Sequence, residues 1–337
     1  MSVPPGFISR DWPFAAPFAS SLAQSLDSSL DPSLAPCLVA GIEQPVLVIG
    51  NFDGVHLGHK LVLAEARALA SRIGKPLVAL TFEPHPRDVF TPAQPVFRLT
   101  NLPQKAKLLA QAGADVTLAL DFNAALSSLS AAAFIDELLI GACRASGVVV
   151  GHDFHFGKGR AGTPEFLSTH LQKAGITCLI VPPQHQNGEL LSSRAIRAAL
   201  EAGDIAAANA ALGRQWAVSA IVEHGDKRGR ELGFPTANLH LPVSCRLRHG
   251  IYAVRATVEG TTHNAIASFG RRPTFDDGRP KLEVMLFDFA GDLYGKEICV
   301  EFVAWIRGEE RFDSVDALIL QMNNDCDAAR VLLEARA

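Results

Sequence analysis

The chain has 337 residues, with 31 Lys and Arg against 35 Asp and Glu, and a formal net charge of −4. Hydrophobic residues make up 48% and charged residues 20%, with 27 glycines and 20 prolines. That balance excludes collagen-like, wholly disordered and strongly basic chains, and at about 150 residues per domain it suggests two domains. No uncharged apolar run reaches the ~18 residues of a membrane helix. The 6 cysteines form no C-x-x-C pair. They read as small buried hydrophobes in a reducing, cytoplasmic setting rather than as zinc or redox ligands.

Residues 1–40 mix Ser, Ala, Leu and Pro without a steady period. Asp11, Asp27 and Asp31 outweigh Arg10, which argues against a basic targeting presequence. This stretch is expected to be a loosely ordered extension. Residues 41–200 alternate strand and helix. The strands are PVLVIG, PLVALTF, DVTLALDF, GVVVG and TCLIV; the helices are HKLVLAEARALASRI, QKAKLLAQAG, SAAAFIDELLIGA and PEFLSTHLQKAG. Such alternation predicts a doubly wound α/β domain with a parallel sheet. An Ala-rich helix over 201–213 is expected to link the domains. In 214–337 the runs QWAVSAIVEHG, GIYAVRATVEG, HNAIASFG, KLEVMLFDF and ICVEFVAWI follow one another with only turns and loops between. They predict a small antiparallel barrel or sandwich, closed by a helix over 314–335.

Ligands of an open parallel sheet bind beyond the carboxyl ends of its strands, and polar clusters recur there. They are Gly50-Asn51-Phe52-Asp53-Gly54-Val55-His56-Leu57-Gly58-His59, Glu83-Pro84-His85-Pro86-Arg87, Gly151-His152-Asp153, and Ser192-Ser193-Arg194-Ala195-Ile196-Arg197. His56 and His59 are three residues apart at a helix start, where free N–H groups and the helix dipole favour an anion. Gly58 allows close backbone approach. Such a pair suits a triphosphate and charge building on a departing pyrophosphate. Read alone, it is also open to a metal-ligand or plain surface role. Gly157-Lys158-Gly159-Arg160-Ala161-Gly162 matches G-x-G-x-x-G but does not directly follow its strand and lacks the downstream acid. It is read as a mobile basic loop, not a dinucleotide fingerprint.

In the second half, His224-Gly225-Asp226-Lys227-Arg228-Gly229-Arg230-Glu231-Leu232-Gly233-Phe234-Pro235-Thr236-Ala237-Asn238 is dense in glycine and charge. Gly225, Arg228, Gly229, Gly233 and Pro235 suit a loop whose amides wrap phosphate oxygens. Thr236 and Asn238 offer neutral oxygens suited to magnesium. Phe287, Phe289 and Phe302 are expected in the barrel core rather than as ligand-stacking platforms.

GNFDGVHLGH, TFEPHPR, FRLT with Lys105 or Lys107, VGHDFHFGKGR and SSRAIR resemble the nucleotidylyltransferase module of prokaryotic bifunctional riboflavin kinase/FAD synthetase. The Gly225–Asn238 stretch, Arg272-Pro273-Thr274, Leu282-Glu283-Val284 and Leu293-Tyr294-Gly295 resemble its riboflavin kinase module. The resemblance implies a Rossmann-like adenylyltransferase domain followed by a riboflavin-kinase barrel with a C-terminal helix. It implies phosphorylation of riboflavin to FMN and adenylylation of FMN to FAD, with ATP as co-substrate, Mg2+ and no fixed prosthetic group. His56 and His59 would contact phosphates, joined by Gly50, Asn51, Phe52, Asp53, Gly54 and Gly58. Ser193 and Arg197 would clamp the phosphates. Asp153 and Arg87 would help place nucleotide or flavin. Glu283 would accept the proton of the riboflavin 5′-hydroxyl. The implied partners are small molecules, with no nucleic acid and no membrane; self-association stays open.

Four positions depart from the family pattern. Arg194 stands for Thr, His155 for Arg, Ser268 for Asn and Met285 for His. A rival reading makes the first domain a degenerate FMN-holding module beside a live kinase. Another makes the barrel an RNA binder through Lys227, Arg228 and Arg230, against which Glu231 and the 7% aromatic content argue.

Overall fold

The structure, a computed structural model, describes residues 7–8, 42–186, 188–224, 234–271 and 280–335. Most of the expected extension, and Gly225, Arg228, Gly229 and Gly233, lie outside the described residues. The chain forms two compact units, residues 1–96 with 101–191 and residues 97–100 with 192–337.

The first unit is built on a parallel sheet of six strands: β1 (Phe7–Ile8), β2 (Val46–Ile49), β3 (Leu77–Glu83), β4 (Val116–Asp121), β5 (Gly147–Gly151) and β6 (Thr177–Val181). Their spatial order is β1-β4-β3-β2-β5-β6. β1 is a difference from expectation, since two residues of the extension pair in parallel with β4. The helices are α1 (Leu57–Ile73), α2 (Pro86–Phe90), α3 (Leu102–Gln111), α4 (Ala124–Ser128), α5 (Ala131–Ala133, running on as a π-helix over Phe134–Ala142) and α6 (Pro164–Lys173). Successive residues of β2 feed opposite cores. Leu47 and Ile49 pack with Phe134, Ile135 and Leu167 on one face. Val46 and Val48 pack with Leu63, Ala66 and Leu69 of α1 on the other. A short hairpin of β7 (His185–Gln186) and β8 (Glu189–Leu190) ends the unit.

The second unit starts earlier than the sequence suggested. Its first helices, α7 (Ser193–Ala202) and α8 (Ile205–Leu212), share one core with the barrel through Ile196, Leu200, Ile205, Ala208 and Leu212. The stretch expected as the end of the first domain and a linker is therefore part of this unit, because its apolar face is buried there. Trp216 ties in residues 97–100 as well: fully buried, it donates from Nε1 to the Leu99 carbonyl at 3.0 Å.

The barrel strands are β9 (Trp216–Ile221), β10 (Ala237–His240), β11 (Gly250–Val258), β12 (Thr261–Arg271), β13 (Pro280–Leu286) and β14 (Glu297–Arg307). They run β10-β13-β12-β11-β14-β9. The ring closes where Glu223 bridges Asn238, its N–H donating to the Asn238 carbonyl at 2.9 Å. β10 begins inside the P-T-A-N motif and runs two residues past it, a strand too short for its periodicity to be read. Phe302 fills the barrel interior, Phe289 packs against that core, and Phe287 packs outside it. The closing helix α9 (Val315–Glu334) is capped by Ser314 and covers the outer face, burying Ala329 and Leu333 against Ala253, Phe287 and Val303. Arg307 pins it: Nε and Nη2 donate to the two Asp325 oxygens at 2.8 and 2.7 Å.

Candidate active sites

In the first unit β2 lies between β3 and β5, so the winding direction reverses beside β2 and opens a crevice beyond its end. Register brings three of the four polar clusters there, since Ile49 pairs with Leu80 of β3 and Val150 of β5. The turn after β2 is tightly wound. Phe52, Gly54 and Val55 all have positive φ (47°, 84° and 40°). For a β-branched valine that is an uncommon, strained conformation of the kind held at functional sites. The turn is propped from below: Thr81 Oγ1 donates to the Asn51 carbonyl at 3.1 Å, and the fully buried Lys105 donates from Nζ to Thr81 Oγ1 at 3.3 Å.

His56 caps α1, its Nδ1 accepting from the His59 N–H at 3.3 Å. In the neutral imidazole that leaves the proton on Nε2. The two imidazoles stack, with centroids 3.6 Å apart, and Phe52 meets His59 edge-on at 5.3 Å. A Cβ at position 58 would lie 3.0 Å from His56 Cε1, so Gly58 is what lets the His56 ring lie flat over the helix start. Asp53 is buried in the turn, Asn51 is exposed, and Asp153 and Arg87 are exposed beyond β5 and β3. His155, the departure, bonds through Nδ1 to the Asp153 carbonyl at 2.9 Å. The G-x-G-x-x-G segment, expected as a mobile basic loop, is closed at its ends by backbone hydrogen bonds. Phe156 and Gly162 exchange two backbone bonds, and Gly157 abuts the Ala131 backbone.

Ser193 and Arg197 belong to the second unit. There Ser192, not Ser193, caps α7 by accepting from the Ala195 N–H, while Arg197 is half-buried and donates from Nε to the Phe97 carbonyl at 2.7 Å. Arg194 is exposed on the same first turn.

On the barrel, alternation along β13 sends Leu282, Val284 and Leu286 into the core and Lys281, Glu283 and Met285 outward. Glu283 stands directly opposite Asn238 of β10 and Ser268 of β12. The predicted acceptor and one predicted magnesium ligand are thus cross-strand neighbours. Pro235 is exposed, Thr236 is half-buried, and the Asn238 amide leans on the Thr236 carbonyl at 3.4 Å. Met285 packs in the apolar layer under α9, a setting in which a methionine is at home and an imidazole would need a partner. Sequence reading passed over Lys281, which lies 3.0 Å from Glu283 Oε1. Its position two residues before Glu283 was the available signal.

Family comparison also divides the chain in two. A model described as FAD synthetase matches residues 40–195, and one described as riboflavin kinase matches residues 212–333. A bifunctional riboflavin kinase/FMN adenylyltransferase of Pseudomonas fluorescens is 41% identical over 85% of this chain and 92% of its own length. This chain belongs to the bifunctional riboflavin kinase/FMN adenylyltransferase family. The Bacillus subtilis member is 39% identical over 84% of this chain and 90% of its own, and that of Escherichia coli K12 is 40% identical over 86% and 92%. A crystal structure described as a macrolide-efflux protein from Streptococcus pneumoniae is 32% identical, with a TM-score of 0.78, covering 86% of this chain and 96% of that one. Among the described residues of this chain, no helix is long and apolar enough to cross a membrane.

Proposed function

We propose that the barrel unit phosphorylates riboflavin to FMN with ATP and that the parallel-sheet unit adenylylates FMN to FAD with release of pyrophosphate. What carries this reading is that one chain of this family holds both the stacked His56/His59 pair on a helix N-terminus and the Asn238/Glu283 cross-strand pair.

In adenylyl transfer an FMN phosphate oxygen bonds the α-phosphorus of ATP while the bond to the β-phosphate breaks. The charge then grows on pyrophosphate. Helix N–H groups and the imidazoles of His56 and His59 are donors placed for it. Gly50, Asn51, Phe52, Asp53 and Gly54 shape the turn beside them, and Asp153 and Arg87 flank it. Ser193 and Arg197 are assigned to phosphate binding on their motif.

In the kinase reaction the riboflavin 5′-hydroxyl attacks the γ-phosphorus. Glu283 takes its proton and ADP leaves. The Thr236 hydroxyl and Asn238 amide oxygen are donors of the type magnesium takes and would hold the ion of Mg·ATP, which would neutralise phosphate charge. A cytoplasmic location is part of this reading.

The test is a time course with riboflavin, ATP and Mg2+, with a parallel run from FMN, the flavins being separated by chromatography. FMN should rise first and FAD follow. FMN accumulating without FAD in either run would mean that the first unit only holds FMN, and no product from either flavin would overturn the assignment.

A further inference from the structure

Lysine is rarely buried unless an anion meets it. Lys281 is only 8% exposed, and it sits on the outer face of β13 in line with Glu283, its Nζ 3.0 Å from Glu283 Oε1. The surroundings direct it there. Across β10 its neighbour is His240, which faces the Glu223 carboxylate at 3.6 Å. Across β12 its neighbour is Gly270, which adds no side chain, and the Glu309 carboxylate that lies over Gly270 is shared with His249 at 3.5 Å.

We propose that Lys281 is a positioning residue for riboflavin phosphorylation, its ammonium gripping one oxygen of Glu283 and holding the carboxylate toward the 5′-hydroxyl. The proposal rests on the reading of Glu283 as proton acceptor. In the step concerned, the riboflavin O–H bond breaks and its proton passes to Glu283. The new O–P bond forms as the γ-phosphorus leaves the ADP oxygen. Lys281 takes no proton; it restricts where the acceptor can be. A freely rotating glutamate samples several rotamers, and misplacement of a reacting group by about 1 Å can cost ~10²-fold in rate.

The experiment measures FMN formation by full-length Lys281→Met, Lys281→Arg, Glu283→Gln and the Lys281→Met/Glu283→Gln double variant. Riboflavin binding is followed by fluorescence quenching, and FAD formation from FMN serves as an internal control. Lys281→Met should lower kcat by about 10- to 100-fold with both KM values within about twofold of wild type. Lys281→Arg should recover most of the loss, and the double variant should be no slower than Glu283→Gln alone. Wild-type kcat in Lys281→Met, a change in KM only, or loss of riboflavin binding in both single lysine variants would overturn the proposal. If Glu283→Gln itself kept wild-type kcat, the reading of Glu283 would fall instead.

Discussion

The two phosphate sites are made in opposite ways. The histidine half of the proposed adenylyl site is local: ten consecutive residues, 50–59, turn from the end of β2 into α1 and carry both imidazoles and the glycine that makes room for them, while Arg87, Asp153, Ser193 and Arg197 come from elsewhere in the chain. The kinase site is assembled by sheet register. Asn238 and Glu283 are far apart in sequence and become neighbours only because β10 pairs antiparallel with β13. The first depends on local backbone conformation, the second on the integrity of a whole barrel face and the helix that covers it.

Weakening the barrel scaffold should therefore damage the proposed kinase site first, and reach the proposed adenylyl site only through Ser193 and Arg197, which belong to the barrel unit. Asp325 is buried and holds Arg307 with two hydrogen bonds, and those bonds raise the affinity of the guanidinium for its proton. Asp325→Ala takes the buried carboxylate from a half-buried guanidinium that keeps Glu310 at 3.7 Å, and should destabilise the barrel unit by about 1–3 kcal/mol. Urea unfolding should show the loss, and riboflavin phosphorylation should fail at lower urea than FAD synthesis from FMN. Equal loss of both activities would break the comparison.

A smaller effect sharpens the local side. Alanine favours a helix over glycine by about 1 kcal/mol, so Gly58→Ala should not lower the melting temperature. The new methyl would press on the His56 ring, and FAD formation should fall about 10-fold while FMN formation holds. A stable variant with full FAD synthesis would show that the ring position is unimportant. The smallest effect concerns the thiols. Burial pushes Cys178 and Cys326 up to about 11, so both stay protonated at pH 8 and should react far more slowly with a thiol reagent than they do in the unfolded chain.

The same contrast explains what could be read in advance. Strand–helix alternation and the contiguous H-x-G-H segment were legible because their information is local. The reason for Gly58 was legible only in part, since the contact it avoids is with the His56 ring rather than with a ligand. The packing of α7 and α8 was not legible, because they look like an Ala-rich connector and only the fold shows Ile196, Leu200 and Leu212 joining the barrel core. β10, which begins inside a nucleotide motif, was too short to read. Lys281 looked like any surface lysine until the register and burial of β13 placed it against Glu283.

The central claim is that two chemically independent sites share one chain, and a crossed assay tests it most directly. His59→Ala supplied with riboflavin should stop at FMN, and Glu283→Gln should leave riboflavin unchanged yet convert added FMN to FAD, each lost step falling by at least about 10²-fold. Loss of both steps in either well-folded variant, or of neither, would contradict the account.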